Sequence, residues 1–144
     1  RGAEVTAVTS AANADLVKSL GAGKVIDYAR EDFTKSGETY DVIADTVGVS
    51  AFAKCVPALN ENGRYLSISG GLADLIPRRA GTKRSIGGVA AEKPEYLAEI
   101  VRLAEAGALK PVIDSTFSFT RLPEAHARVD SGRKRGSVVV SVAA

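Results

Sequence analysis

The residues of this chain able to do chemistry are few, and most stand just beyond apolar runs. There is one cysteine, Cys55, and one histidine, His126. Cys55 precedes Val-Pro in a helical stretch and reads as a buried, inert thiol. His126 lies among Ala125, Ala127 and Val129 and reads as a packed or surface histidine. No nucleophile–base pair stands out, and a lone Cys with a lone His leaves no donor set for zinc in this chain. What remains are hydroxyl, amide and glycine residues: Thr9, Ser10 and Asn13, then Tyr28, then Asp45-Thr46-Val47-Gly48, then Ser69-Gly70-Gly71. Such groups bind ligands rather than attack them. In an open α/β sheet the ligand lies at the carboxyl ends of the strands, where these residues fall.

The elements that must position them follow from periodicity. Residues 4–28, EVTAVTSAANADLVKSLGAGKVIDY, predict a βαβ unit. Residues 4–9 are apolar and β-branched, as suits a strand buried on both faces. Ser10 can cap the next helix, Leu16, Val17 and Leu20 share its apolar face, and Lys18 and Gly21 mark its end. Val25 and Ile26 begin the second strand. Residues 29–39 are a polar connection with one helical turn at 31–35. YDVIAD, residues 40–45, predicts the third strand, and a helix with Phe52, Val56 and Leu59 follows, kinked or shortened by Pro57. Asn62-Gly63 signals a turn before the fourth strand, RYLSIS, residues 64–69.

Residues 72–83 read as an exposed loop, and 85–91, with Gly87-Gly88, as a weaker edge strand. Pro94 opens the clearest helix, with Tyr96, Leu97, Ile100 and Val101 apolar and Gly107 as its stop. Residues 110–119 are extended, Pro123 starts a last helix ending at Gly132, and SVVVSV, residues 137–142, is the final strand. Strands alternating with helices predict an α/β fold with a parallel, doubly wound sheet and right-handed crossovers.

With 144 residues the chain can bury one domain core. Its 19 basic and 17 acidic residues leave a net charge of +2, so the charge balance points to neither nucleic acid nor a membrane surface. A single cysteine fits a reducing compartment, no apolar run approaches the roughly 20 residues of a membrane span, and no signal peptide opens the chain, so a cytoplasmic location is expected. The absence of Met and the opening Arg1-Gly2, which reads like a helix end, suggest a piece of a longer polypeptide.

Six segments, GAEVTAVTS, LVKSLGAGKVIDY, YDVIADTVG, NGRYLSISGG, LAEAGALKPVID and AHARVDSGRKRGSVVVSV, occur in one order over nearly the whole chain. In that order and spacing the chain resembles the cofactor-binding half of the medium-chain dehydrogenases/reductases, of their quinone-oxidoreductase-like or zinc-binding dehydrogenase branch. The resemblance implies a Rossmann-like sheet. It implies one partial NAD(P)-binding domain over residues 1–144, with 110–144 the segment that returns to the catalytic domain. Relatives carry a first strand and a Gly-rich GxGxxG turn before GAEVTAV, where the pyrophosphate rests on a helix N-terminus. Neither Gly70-Gly71 nor Gly87-Gly88 has that spacing. The expected protein is therefore a fragment of an NAD(P)(H)-dependent oxidoreductase acting on a carbonyl, alcohol, quinone or enone. It lacks its N-terminal catalytic domain and is inactive alone.

By the same resemblance, Thr9 and Ser10 stand where an NAD-specific relative carries an acid for the ribose hydroxyls, which favours NADP(H) over NAD(H). Ser10 also reads as a helix cap. Asn13 takes the place of a lysine that pairs with the 2′-phosphate, and offers hydrogen bonds without charge. Tyr28 matches a tyrosine beside the adenosine phosphate, or is a plain strand-end aromatic. Thr46, Val47 and Gly48 would lie along the riboses with backbone groups facing the cofactor, while Asp45 could cap a helix. Ser69, Gly70 and Gly71 would lie near the nicotinamide, or simply end the strand. Arg133, in a basic turn, would reach phosphate or stay solvated.

The resemblance also implies a homo-oligomer, with the strand at 85–91 at the subunit interface. A sheet lacking its central strand exposes edges, so either residues 137–142 move into the slot or two chains pair there. The alternative to an oxidoreductase part is a non-catalytic nucleotide-binding or dimerisation module.

Overall fold

Apolar, β-branched runs become parallel strands here, and glycines and prolines punctuate several of the connections between them. The computed structural model describes residues 2–69, 71, 76–89 and 91–142. The chain divides into two compact units, Arg1–Ala91 and Glu92–Ala144.

In the first unit, β1 (Thr6–Thr9) runs parallel to β2 (Lys24–Asp27), with Thr9 opposite Asp27. Between them a single tight turn at Ala11–Asn13 leads into α1 (Ala14–Ser19). Ser10 makes no side-chain cap bond; the turn is closed instead by the Asn13 N–H donating to the Ser10 carbonyl at 2.9 Å. The polar connection holds one turn, Phe33–Lys35, capped by the Asp32 side chain on the Thr34 N–H.

The second sheet has the order β3-β4-β6-β5. Its members are β3 (Tyr40–Asp45), β4 (Leu59–Ser67), β5 (Arg79–Ala80) and β6 (Lys83–Ile86). β3, β4 and β6 are parallel, and β5 folds back antiparallel on β6.

Three expectations change here. The helix after β3 is only α2 (Phe52–Cys55) and tightens into a turn at Val56–Ala58, where Pro57 cannot donate to a continuing helix. Leu59 is therefore the first residue of β4 and not a helix position. Asn62, at φ 62°, sits within that strand, whose register against β3 jumps between Tyr40 and Val42. The turn signal became an irregularity in a strand. The strand expected over 85–91 is β6, which lies earlier, because Gly88, at φ 144°, leaves extended geometry, and it is not an edge strand, since β4 and β5 flank it. Part of that range, and part of 72–83, lies outside the described residues.

The core of this unit is Phe52, Cys55, Leu59 and Tyr65, with Phe33, Ile43, Val56 and Ala80 against it. Burial pushes the Cys55 thiol up, in keeping with an inert cysteine. Among the described residues β1 pairs only with β2, and β3 is joined on one side, to β4. β8 pairs with β7.

The second unit holds α3 (Pro94–Glu105), β7 (Ile113–Ser118), α4 (Leu122–Asp130) and β8 (Ser137–Ser141). β7 and β8 are parallel, and Ala125 of α4 is buried. The unit is tied together by Asp114, whose side chain is 5% exposed. Its carboxylate accepts from Arg128 Nη2 at 2.6 Å and Nε at 2.7 Å, from the Arg135 N–H at 2.7 Å and from Ser115 Oγ at 3.0 Å.

The Arg128 guanidinium, then the Arg135 N–H, hold this carboxyl well below the usual range. A carboxylate depressed by folding adds stability above its unfolded value near 3.9, and that stability is lost as pH falls further. Asp114→Asn is expected to lower the melting midpoint at pH 7 by roughly 5 °C and to flatten the fall in midpoint below about pH 4. Melts followed by circular dichroism from pH 7 to 3 check this. An unchanged acid limb would refute it.

Candidate functional site

The carboxyl ends of the strands in the first unit form the candidate site. Beyond β1, the Tyr28 N–H donates to the Thr9 carbonyl at 3.2 Å, which sets Tyr28 beside Thr9. Beyond β3, the chain folds around Asp45, which is 7% exposed. Its Oδ1 accepts from the N–H groups of Val47 at 3.0 Å and Gly48 at 2.7 Å. Its Oδ2 accepts from the Ser50 N–H at 2.8 Å and the Tyr65 hydroxyl at 3.0 Å. Burial pushes this carboxyl up, but the N–H groups of Ser50, Gly48 and Val47 with the Tyr65 hydroxyl outweigh it and hold it below the ordinary range. Asp45 therefore organises the turn ahead of α2; the cap position of that helix is Ala51.

The ends of β3 and β4 are joined as well. The Ile68 N–H donates to the Asp45 carbonyl at 2.9 Å, and Ser69 Oγ donates to the Thr46 carbonyl at 2.7 Å. Gly48, at φ 80°, lies so close that a Cβ on it would sit 2.6 Å from the Ser69 carbonyl oxygen.

A cleft of about 750 Å³ opens beside these ends. Thr9 and Tyr28 line it from β1 and β2, and Thr46 and Val47 from the turn beyond β3. Four predicted residues from three segments thus share one concavity. Ser10, Asn13, Gly48, Ser69 and Gly71 are not part of its lining. Gly70 lies outside the described residues. Arg133 belongs to the second unit, where its N–H meets Ser131 Oγ at 3.3 Å and its side chain is exposed.

Sequence reasoning missed Asp32 and Lys54, which also line the cleft and pair at 3.4 Å. Asp32 carried a detectable signal, a cap residue ahead of a short turn. Lys54 carried none, since a lysine on a short helix usually faces solvent.

The residues present suit the adenosine and ribose side of a dinucleotide. The cleft is within the size range of small-ligand sites; residues 9–13, Thr-Ser-Ala-Ala-Asn, contain no acid, while Glu31 and Asp32 line the cleft further along. No Gly-rich strand-to-helix turn for a pyrophosphate occurs among the described residues. A zinc ion has no fitting donor set there either, because Cys55 is sealed in the core and His126 is exposed on α4.

Parallel strands joined through helices, with a cleft at their carboxyl ends, define a Rossmann-like, cofactor-binding class of α/β fold. The zinc-binding dehydrogenase family model matches residues 20–140, and the chain belongs to that family. It is 33% identical to the chloroplastic quinone-oxidoreductase QR1 of Triphysaria versicolor, over 94% of this chain and 44% of that protein. It is 29% identical to the chloroplastic NADPH-dependent alkenal/one oxidoreductase of Arabidopsis thaliana, over 95% of this chain and 33% of that protein. The structure of a quinone oxidoreductase from Coxiella burnetii shares the fold with a TM-score of 0.78 at 24% identity, covering 99% of this chain and 46% of its own. The chain thus spans between a third and just under half of these curated relatives. No helix among the described residues is long and apolar enough to cross a membrane.

Proposed function

We propose that the chain is the cofactor-binding part of an NADP(H)-preferring oxidoreductase, working with a catalytic domain on a separate segment. The observation that carries this reading is the convergence of Thr9, Tyr28, Thr46 and Val47 on one cleft that has no acid directly beyond β1. The nicotinamide cofactor, when bound, supplies hydride exchange with a carbonyl, alcohol, quinone or enone. The chain's own part is to hold and orient it. Thr9 and Ser10 hydroxyls and the Asn13 amide meet the ribose phosphate, Tyr28 flanks the adenosine, and the 46–48 turn meets a ribose. Ser69 with Gly71 borders the nicotinamide side. In relatives the pyrophosphate grip is a Gly-rich turn of the cofactor-binding part and the substrate pocket lies in the catalytic domain; neither is among the residues described, so the chain alone is inactive.

Amide NMR titration of the chain with NADPH and NADH tests this. Shifts are expected at Thr9, Ser10, Asn13, Tyr28 and 46–48, half-complete at an NADPH concentration roughly tenfold below that for NADH, a gap of about 1.4 kcal/mol. Equal midpoints would remove the NADP preference. Shifts confined to the basic loops would remove the site. A second reading, a dimerisation module, is favoured by the unpaired edges that β1 and β3 present among the described residues; sedimentation of the chain as a monomer at high concentration would end it.

A further inference from the structure

The turn at 46–48 differs in one respect from a backbone surface open to a ligand. The N–H groups of Val47 and Gly48 are spent on the Asp45 carboxylate, and the Thr46 carbonyl is spent on Ser69 Oγ. Thr46 and Val47, by contrast, line the cleft, and Val47 is 70% exposed. A turn whose donors face inward offers a neighbouring ligand the Thr46 hydroxyl and the apolar Val47 side chain. That combination suits the hydroxyls and ring of a sugar and does not suit a phosphate.

What holds the donors inward is a core residue. Tyr65, on β4, is 1% exposed, and its ring packs against Phe52 with centroids 6.1 Å apart. Its hydroxyl lies 3.0 Å from Asp45 Oδ2 and 2.7 Å from the Ser50 carbonyl oxygen; its single proton is shared between these two acceptors, which holds the turn against the packed interior. Buried polar groups linked in this way fix one geometry, because every alternative leaves one of them without a partner.

We infer that Asp45 and Tyr65 are positioning residues that preset the 46–48 turn as a surface facing the nicotinamide ribose and excluding phosphate. This rests on the cofactor-binding reading above. Pre-setting a surface raises affinity by removing the ordering a ligand would otherwise impose, so loosening the turn weakens only ligands that reach it.

The test compares wild type, Tyr65→Phe and Asp45→Asn, the last keeping an acceptor for Val47 and Gly48 but not for the Ser50 N–H. Each is titrated with NADPH and with adenosine 2′,5′-bisphosphate, which lacks the nicotinamide ribose. Hydrogen exchange at Val47, Gly48 and Ser50 is followed in parallel. Tyr65→Phe is expected to weaken NADPH binding roughly three- to tenfold, to leave bisphosphate binding within about twofold, and to speed exchange at the three amides. Asp45→Asn is expected to speed exchange mainly at Ser50. Equal weakening of both ligands would mean a general structural role and would overturn the inference. So would unchanged NADPH affinity, or unchanged exchange, in Tyr65→Phe. If wild type binds neither ligand, the cofactor reading falls as well, an outcome separate from binding that the variants leave intact.

Discussion

Replacing Gly136 by alanine is expected to unfold the β7–β8 unit. Gly136 stands just before β8 at φ 134°, and a Cβ there would lie 2.3 Å from the Val112 carbonyl oxygen and 2.8 Å from its carbonyl carbon. Those atoms are backbone, and the Ser137 N–H donates to the same Val112 oxygen at 2.8 Å. Relief of the clash must therefore pull β7 and β8 apart where their ladder begins, at Ile113 opposite Ser137. The strained φ and the overlap together give an expected loss of about 4 kcal/mol. Gly132 supplies the control. It also has positive φ, 66°, but nothing lies within 4 Å of its ideal Cβ. Gly132→Ala should cost only about 1 kcal/mol. Urea unfolding with amide NMR of residues 137–141 reads both. Equal losses in the two variants would show that conformation, and not the contact with Val112, governs Gly136.

Gly48→Ala should act on the site. Its Cβ would meet the Ser69 carbonyl oxygen at 2.6 Å, at φ 80°. To escape, the turn must move away from the end of β4, which stretches the Ser69–Thr46 bond and the N–H contacts to Asp45. The expected cost is about 2 kcal/mol, less than at Gly136, because Gly48 and Ser69 are both exposed and can shift into solvent. Under the proposed function, loss of NADPH-induced shifts at 46–48 accompanies it, while those at Thr9 and Tyr28 persist. Gly71 has no atom within 4 Å of its ideal Cβ, so Gly71→Ala should stay within about 0.5 kcal/mol of wild type. A Gly48→Ala chain as stable as Gly71→Ala would show that the tips of β3 and β4 are not held together in solution.

Much of the scaffold was legible in the chain because its signals are local. Tyr40–Asp45 reads as a strand from its own apolar run, and Pro94–Glu105 as a helix from Pro94, its stripe and the glycine beyond it. Leu59 was misread because its helical spacing from Phe52 and Val56 is real, yet Pro57 closes the helix one turn early and burial in the core rewards an extended Leu59. The Asn62-Gly63 signal was also real as local geometry, since Asn62 has positive φ, but pairing with β3 absorbed it into β4.

By itself, the sequence determined the alternation of strands and helices, the family to which the chain belongs, and the short hydroxyl- and glycine-bearing turns beyond the strands. Those features depend on neighbours a few residues apart. Tertiary structure alone decided which turns share a cleft, that Lys54 faces Asp32, and that Tyr65 reaches Asp45. Each of these joins residues about 20 apart or more in the chain, and no periodicity encodes them. They exist because packing Phe52, Cys55, Leu59 and Tyr65 in one core brings the end of β3 over β4 and leaves the Tyr65 hydroxyl no solvent to bond.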